Sequence, residues 1–465
     1  MNSFRARWPD RLGFIVAIVG VSLGLGVMRR SAGPLDGVQL IMWLATLALV
    51  VLPLLIIELG VGVVFQNALA ECCRKANRHC ETLGWLGAGL AYVALVLGLV
   101  AVGGSLVSAY DSALAALANQ ALPGSGPRSD SGPVILAIAA LVALIDRRLW
   151  RGAPSIARTA QLVVPAGLVG LAALIVVFAS RPGACDGLAL LLGPGPGGWG
   201  RLLDASAWLM AIGQGVAAWL VGLGLFAAFG SYLNRASDVT AMSAIAVCAA
   251  GLCQLVMVVV TALAIGLTGG ALPLIGAAAV HPEGPVPFAI VGLGGTPWIL
   301  GWLATVWFAV LVAFALPALL ALAEAVVAPL IDKFHLPRER AVASVCMTAF
   351  FAAALLAALP VDDWQGRAEV VLAGAAALLL AAQAAFSYRA ADLPALQRHL
   401  NAYSAFSLAW PWRAAVAVAL PLLALLSGLQ MVRLLPAALE WWVVAGAVLL
   451  ASVAWVIARL PARGL

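Results

Sequence analysis

The chain has 465 residues, of which 64% are hydrophobic and only 10% are charged, and its formal net charge at pH 7 is +6. This composition excludes a water-soluble globular domain, because soluble domains do not carry so much apolar surface. No nucleophile–base pair, phosphate-binding loop or metal-ligand pattern is visible, so we expect neither an enzyme nor a bound cofactor.

Apolar stretches long enough to cross a bilayer, about 20 residues each, recur from one end of the chain to the other. The first is not read as a cleavable signal peptide, because it lacks a small-residue cleavage site and a second span follows at once. The sequence therefore predicts an all-α polytopic membrane protein of twelve transmembrane helices. The predicted spans are residues 12–33, 38–64, 84–110, 133–150, 160–180, 206–230, 239–268, 298–331, 340–360, 368–388, 412–432 and 439–459.

The distribution of basic residues predicts the orientation of these spans. With the N-terminus inside, nineteen of the 26 lysines and arginines fall in cytoplasmic segments, and Arg29 and Arg30 fall within span 1. Because loops on the cytoplasmic side carry an excess of Lys and Arg, we expect a protein of the cell (inner) membrane with both termini cytoplasmic. The positive charge then reflects topology and not a nucleic-acid partner. The five residues left outside are Arg128, Arg181, Arg201, Arg367 and Arg433.

Two loops have a distinct composition. Cys72, Cys73 and Cys80 lie with His79 in one predicted cytoplasmic loop, where a metal site is one reading. Their spacing fits no zinc pattern, which favours a reduced, basic helical loop. The long semi-apolar stretch 269–298 is predicted to fold back against the mouth of the helix bundle, with a flexible loop as the alternative.

Glycines interrupt span 1 and span 6 at matching depth. Span 1 contains Gly24-Leu25-Gly26, and span 6 contains Gly222-Leu223-Gly224. Paired, glycine-interrupted spans in two halves of a chain indicate an inverted repeat of the transporter type, with freed backbone groups facing a ligand cavity. For either span alone, close helix packing through small residues is the simpler explanation.

Five stretches resemble, in the same order, segments of the neurotransmitter:sodium symporter family. They are WPDRLGFIVAIVGVSLGLG (8–26), PLLIIELGVG (53–62), GWLG (84–87), AWLMAIGQGVAAWLVGLGLFAAFGSYLNRASD (207–238) and LAEAVVAPLIDKFHLPRERA (322–341). The resemblance implies one transmembrane domain with the leucine-transporter fold, in which spans 1 and 6 are broken and spans 1–5 and 6–10 form the inverted repeat. The expected boundaries are 1–181 for the first repeat, 206–388 for the second and 410–465 for two peripheral helices.

The resemblance also implies a substrate site and an outer gate between spans 1 and 6. Arg30 falls where the family keeps a gate arginine, and Gln214 falls where it keeps the neighbouring glutamine. Arg29 is an additional charge, which either forms an anion site with Arg30 or turns to the headgroups or to Asp36. The implied binding and gate positions are Ser22, Leu25, Gly26, Val27, Arg29, Arg30, Gln214, Ala217, Leu220 and Gly222.

The positions that bind sodium in this family carry no side-chain oxygen here. By the implied alignment, the first sodium site has Val27, Ala218 and Ala250, and the second has Pro317 and Ala318. A hard cation needs oxygen ligands, so we expect neither site to hold sodium. Leu380 likewise replaces the acidic partner of the gate arginine.

Three polar residues inside the spans have structural explanations. Glu58 matches a family acid and is expected to bond to a broken helix end, with proton carriage as the alternative. Glu324 is expected to form a local salt bridge. Gln254 is expected either to form an interhelical hydrogen bond or to join a buried network with Gln214 and Arg30.

Two functions follow from this reading. One is a secondary transporter that moves or binds a small apolar or anionic solute without sodium. The other is a non-transporting scaffold, receptor or subunit with a membrane-protein partner.

Overall fold

The computed structural model is helical throughout the residues that it describes, which are 7–28, 36–122, 131–195, 197–268, 285–359, 364–383, 392–433 and 437–461. Short turns of 3-10 helix cover Arg78–Cys80 and Trp199–Leu203, and π-helical turns cover Leu47–Val51 and Ala415–Ala419. The α-helices are α1 Arg11–Met28, α2 Gly37–Thr46, α3 Leu52–Phe65, α4 Leu69–Ala76, α5 Glu81–Leu117, α6 Gly132–Leu149, α7 Ala153–Ala179, α8 Ala184–Leu192, α9 Ala205–Trp219, α10 Leu225–Ser231, α11 Val239–Leu267, α12 Pro285–Gly292, α13 Pro297–Phe334, α14 Arg338–Ala358, α15 Trp364–Gln383, α16 Leu393–Ala402, α17 Trp410–Ala414, α18 Leu420–Arg433 and α19 Ala437–Arg459.

Each of the twelve predicted spans coincides with helix in the described residues. The second span is continuous from α2 through a π-helical turn into α3, and the sixth is divided between α9 and α10. By length and composition, seven of the described helices are apolar enough to cross a membrane. These are Gly37–Phe65, Arg78–Leu117, Ala153–Ala179, Val239–Leu267, Pro297–Phe334, Arg338–Ala358 and Trp410–Gln430, and shorter apolar helices occur at Arg11–Gly26, Gly374–Gln383 and Gly446–Arg459.

The two longest described helices, α5 and α13, pack along each other, and α1 lies against α13, α7, α11 and α9.

Several helices begin at a capping side chain or end at a residue in the left-handed conformation. Asp36 caps α2 and Asp238 caps α11, each accepting a backbone N–H of the first turn. Gln66 ends α3 and His335 ends α13 in the left-handed region, with φ of 53° and 52°.

Span 1 is not broken at the glycines where the sequence predicted a break. Helix α1 runs without interruption through Gly24, Leu25 and Gly26 to Met28. A Cβ on Gly24 would lie 2.3 Å from the carbonyl oxygen of Phe314, so this glycine permits close contact between α1 and α13. The expectation of a break at Gly24 and Gly26 was therefore wrong, and the packing explanation holds for Gly24.

The stretch after α11 begins with residues outside the described part of the chain, but its second half is ordered helix. In α12, the side chains of Val286, Ala289 and Ile290 are fully buried. This helix packs against α11 and α13. The described half of this stretch therefore lies against the bundle, as predicted.

Candidate functional site

Span 6 is broken at its glycines. Helix α9 ends at Trp219 and α10 begins at Leu225. Between them, Gly222 and Gly224 have φ of 94° and 88°, a conformation that favours glycine. Leu220 also has a positive φ, at 46°, which is uncommon for a residue with a branched side chain. The predicted break in span 6 is confirmed, and it leaves backbone N–H groups that need partners inside the bundle.

Glu58 supplies those partners. Its side chain is fully buried on α3. One carboxylate oxygen accepts the N–H of Gly222 at 2.7 Å, and the other accepts those of Gly224 at 2.9 Å and Phe226 at 3.2 Å. These contacts are the ones expected of an anion at the start of a helix, here α10. The expected bonding of this acid to a broken helix end is therefore present.

Helix α15 closes the other side of the break. A Cβ on Gly222 would lie 3.0 Å from Cδ1 of Leu380 and 3.3 Å from Oε1 of Gln383. Both side chains are fully buried. Leu380 therefore packs on the break of span 6 as an apolar wall. Gln383, which the sequence did not single out, points a buried oxygen at the same break and donates from Nε2 to the Leu83 carbonyl at 3.4 Å.

The predicted site residues of span 1 are oriented by local bonds. Ser22 is fully buried, and its hydroxyl donates to the carbonyl of Val19 at 2.9 Å within α1. Leu25 is buried beside it, whereas a Cβ on Gly26 would meet open space. Gln254 of α11 donates to the Ser22 carbonyl at 3.3 Å. The structure thus joins Gln254 to span 1, which is the interhelical hydrogen bond that its sequence position suggested.

The expected gate residues are only partly described. Arg29 and Arg30 lie outside the described residues, as do the side chains of Val27 and Ala217. Gln214 is described and lies exposed on α9. A contact between Arg30 and Gln214 therefore stays a prediction.

Asp36, the suggested partner of Arg29, is already engaged. Its Oδ2 forms a salt bridge with Arg201 at 2.8 Å, and its Oδ1 accepts the N–H of Gln39 at 2.8 Å. The carboxylate thereby ties the start of α2 to the segment before α9.

Apolar packing fills the region expected for the second sodium ion. A Cβ on Gly20 would lie 3.0 Å from the Cβ and Cγ atoms of Pro317, so the proline ring rests on the α1 backbone. Ala318 is fully buried next to it. At the first site, Ala250 is fully buried and Ala218 is half-buried. The described side chains at these positions offer a cation no oxygen ligand.

A second polar cluster joins four spans near the C-terminal end of α13. Glu324, fully buried, accepts two hydrogen bonds from the Arg338 guanidinium, at 3.1 and 2.5 Å, and one from the Tyr232 hydroxyl. Arg338 also donates from Nε to the Leu149 carbonyl at 2.7 Å. The predicted salt bridge of Glu324 is therefore present, and its partner lies fourteen residues along the chain.

The N-terminal segment is attached near this cluster. The indole Nε1 of Trp8 donates to the carbonyl of Phe229 at 3.0 Å, and its ring packs edge-on against Phe14 and Phe229 at centroid distances of 5.3 and 5.0 Å. Sequence reasoning used Trp8 only as part of a resembling stretch and missed this contact, because nothing near it in sequence indicates the partner.

The comparisons with known proteins agree with this architecture. A model of the sodium:neurotransmitter symporter family matches residues 129–360, about half of the chain. The chain is 27% identical over 369 residues to the uncharacterized sodium-dependent transporter MJ1319 of Methanocaldococcus jannaschii, and the match covers 73% of each protein. The crystal structure of MhsT in complex with L-phenylalanine has the same fold, with a TM-score of 0.70 and 20% identity over 92% of this chain and 100% of that one. The predicted leucine-transporter fold is confirmed, and the chain belongs to the sodium:neurotransmitter symporter family of membrane transporters.

Proposed function

We propose that this protein is a transporter of the cell (inner) membrane that binds or moves a small apolar or anionic solute without sodium coupling. We also propose that it is not an enzyme. The observation that carries the proposal is the contact of Pro317 with Gly20. A proline ring and an alanine methyl group occupy the helix face where the family resemblance places hydroxyl ligands. Without oxygen ligands, sodium has no differential affinity for two states of the protein, and such an affinity is what coupling requires.

The chemistry of the break supports the choice of solute. Leu220 and Leu380 place buried apolar side chains at the break, beside the buried amide of Gln383. Arg29 and Arg30 follow α1 directly in the sequence and add two positive charges to that end of the helix. Apolar side chains with adjacent guanidinium groups suit a hydrophobic carboxylate, because an arginine binds a carboxylate through two parallel hydrogen bonds.

Uptake into proteoliposomes tests this proposal. We expect accumulation of a radiolabelled hydrophobic carboxylate to be the same with an inward sodium or potassium gradient. Arg30→Gln should weaken binding by about 1–3 kcal/mol, the size of a charged hydrogen bond, whereas Arg181→Gln, at an exposed position, should not. Uptake driven only by sodium, or only cationic ligands that ignore Arg30→Gln, would contradict the proposal.

One observation favours the second candidate, a non-transporting relative that serves a membrane-protein partner. Helix α1 is continuous through Gly24 and Gly26 and packs closely on α13 at Gly24, whereas the transporter hypothesis expects span 1 to be broken there. Co-purification of a stoichiometric membrane protein from the native host, together with absent uptake of every solute tested, would support this candidate.

We also propose an orientation in the membrane in which both termini are cytoplasmic. The excess of basic residues in alternate loops supports cytoplasmic N- and C-termini. Reporter fusions after Arg128 and Arg201 should report the outside, and fusions after Arg151 and Arg235 the inside. The reverse pattern would contradict the orientation.

A further inference from the structure

A basic cavity opens at the end of the bundle where α4, the end of α13 and the end of α19 meet. Its volume is about 610 Å³, within the range of about 300–1,000 Å³ typical of small-molecule sites. Arg74, Arg78, Lys333 and Arg459 line it, with Glu81 as the acidic member. The four basic residues that line this cavity are not among the residues of the proposed solute site.

Two of these cations are already committed. Lys333 is buried, with its ammonium 2.6 Å from Glu81 and 2.9 Å from the carbonyl of Ala458, and it lies 5.8 Å from the centre of the Trp85 ring. Arg74 pairs with Glu71 at 2.5 Å. The bonds of Lys333 join α13 to α5 and α19 at this cavity.

The remaining two cations are exposed and unneutralised. Within the described part of the chain, neither Arg78 nor Arg459 forms an ion pair with a carboxylate. Arg459 stacks over the ring of Trp455 at 4.6 Å, which holds its guanidinium at the cavity rim. Two exposed guanidinium groups at one opening, one of them oriented by a tryptophan ring, are suited to a phosphate group.

An apolar surface leads from the bilayer to this opening. On α19, Leu449, Val453 and Val456 are 66%, 48% and 50% exposed and follow each other at helical spacing. Trp455 is 51% exposed on the adjoining face, in the position typical of a tryptophan at a membrane interface. The stripe reaches the cavity rim at Arg459.

From this juxtaposition we infer that the cavity binds the phosphate of an anionic phospholipid, whose acyl chains lie along the exposed stripe of α19. A soluble phosphate would use the cavity but not the stripe. A lipid uses both, and basic pockets between spans at this depth suit anionic headgroups.

The test uses the full-length protein, purified and delipidated in detergent, with its thermal unfolding followed as lipid is added. We expect dioleoylphosphatidylglycerol to raise the unfolding temperature and dioleoylphosphatidylcholine, with the same acyl chains, to have little effect. In the double variant Arg78→Gln/Arg459→Gln, the half-saturating concentration of phosphatidylglycerol should rise about thirtyfold, since each arginine near an anionic surface contributes about 1 kcal/mol. The control Arg340→Gln removes an exposed arginine at the start of α14 and should leave it unchanged.

Three outcomes would overturn the inference. If the two lipids raise the unfolding temperature equally, the cavity does not select an anionic headgroup. If the double variant responds to phosphatidylglycerol as wild type does, Arg78 and Arg459 do not form the binding site. Protection by millimolar inorganic phosphate equal to that by phosphatidylglycerol would make the ligand a soluble anion. Native mass spectrometry of the wild-type protein gives a second measurement that needs no variant: it should show one retained phosphatidylglycerol in an equimolar mixture of both lipids, and no preference would contradict the site.

Discussion

Glu58 and Gly222 lie 164 residues apart in the chain and 2.7 Å apart in the structure, joined by a bond from a backbone N–H to a buried carboxylate. This bond connects span 2 to the break of span 6. The same carboxylate accepts the N–H groups of Gly224 and Phe226. The non-helical conformation at mid-span is therefore stable because a side chain from a neighbouring helix replaces the missing intrahelical acceptors.

Replacing Glu58 with alanine should be strongly destabilising. Three buried N–H groups would lose their acceptor, and each costs about 1–3 kcal/mol when left unpaired. We expect Glu58→Ala to lower the free energy of unfolding by at least about 3 kcal/mol, measured by thermal or denaturant unfolding in detergent.

The conservative variant Glu58→Gln gives the matched control. Its amide oxygen can still accept two of the N–H groups, but its NH2 group would face the third donor. We expect the stability of Glu58→Gln to lie between that of wild type and that of Glu58→Ala. An alanine variant as stable as wild type would show that the break does not need Glu58 as a cap.

The two glycines of span 1 should respond in opposite directions. Gly24→Ala places a methyl group against the Phe314 carbonyl, so it should destabilise the protein by about 1–3 kcal/mol. Gly26→Ala adds a methyl group in open space within a helix, so it should stabilise by about 0.5–1 kcal/mol. Unfolding temperatures of the two variants decide the matter. Destabilisation by Gly26→Ala would indicate that span 1 leaves the helix there after all.

These glycines show where sequence reasoning reached its limit. Hydropathy located the spans, because an apolar stretch in lipid must satisfy its own backbone and therefore forms a helix. The matched glycines did not distinguish a helix break from close helix packing, because both arrangements favour a residue without a side chain. At Gly222 the break is set by Glu58, and at Gly24 the close packing is set by Phe314. Both partners are remote in sequence.

The cluster at Glu324 predicts a non-additive pair of substitutions. Arg338→Gln leaves a fully buried carboxylate without its cation, which should cost about 3–5 kcal/mol. The double variant Glu324→Gln/Arg338→Gln has no buried charge and should recover part of that loss. The free energies of unfolding of wild type, both single variants and the double variant together form a double-mutant cycle. Simple additivity would contradict the direct pairing, and Arg340→Gln serves as the neutral control.

Asp238 predicts a measurable dependence on pH. Burial raises the pKa of this carboxyl, but hydrogen bonds from the N–H groups of Ala241 and Ala405 and from the hydroxyl of Ser404 outweigh that effect and hold the pKa below its usual value. A depressed native pKa means that the carboxylate stabilises the fold above the unfolded value of about 3.9, and that this contribution is lost as pH falls through the native pKa.

Asp238→Asn tests that dependence. The difference in unfolding temperature between wild type and this variant should be largest near neutral pH and should shrink below about pH 4. A difference that stays constant over this range would mean that the charge of Asp238 contributes nothing to stability.

The most direct test of the account is the response of the purified protein to sodium. The family resemblance places Pro317, Ala318 and Ala250 at sodium-site positions, where they carry no side-chain oxygen. Pro317 also packs on the backbone of Gly20. We predict that titration with sodium chloride, compared with potassium chloride at equal ionic strength, leaves the unfolding temperature and ligand binding unchanged. A sodium-specific rise in unfolding temperature that saturates in the millimolar range would contradict the account.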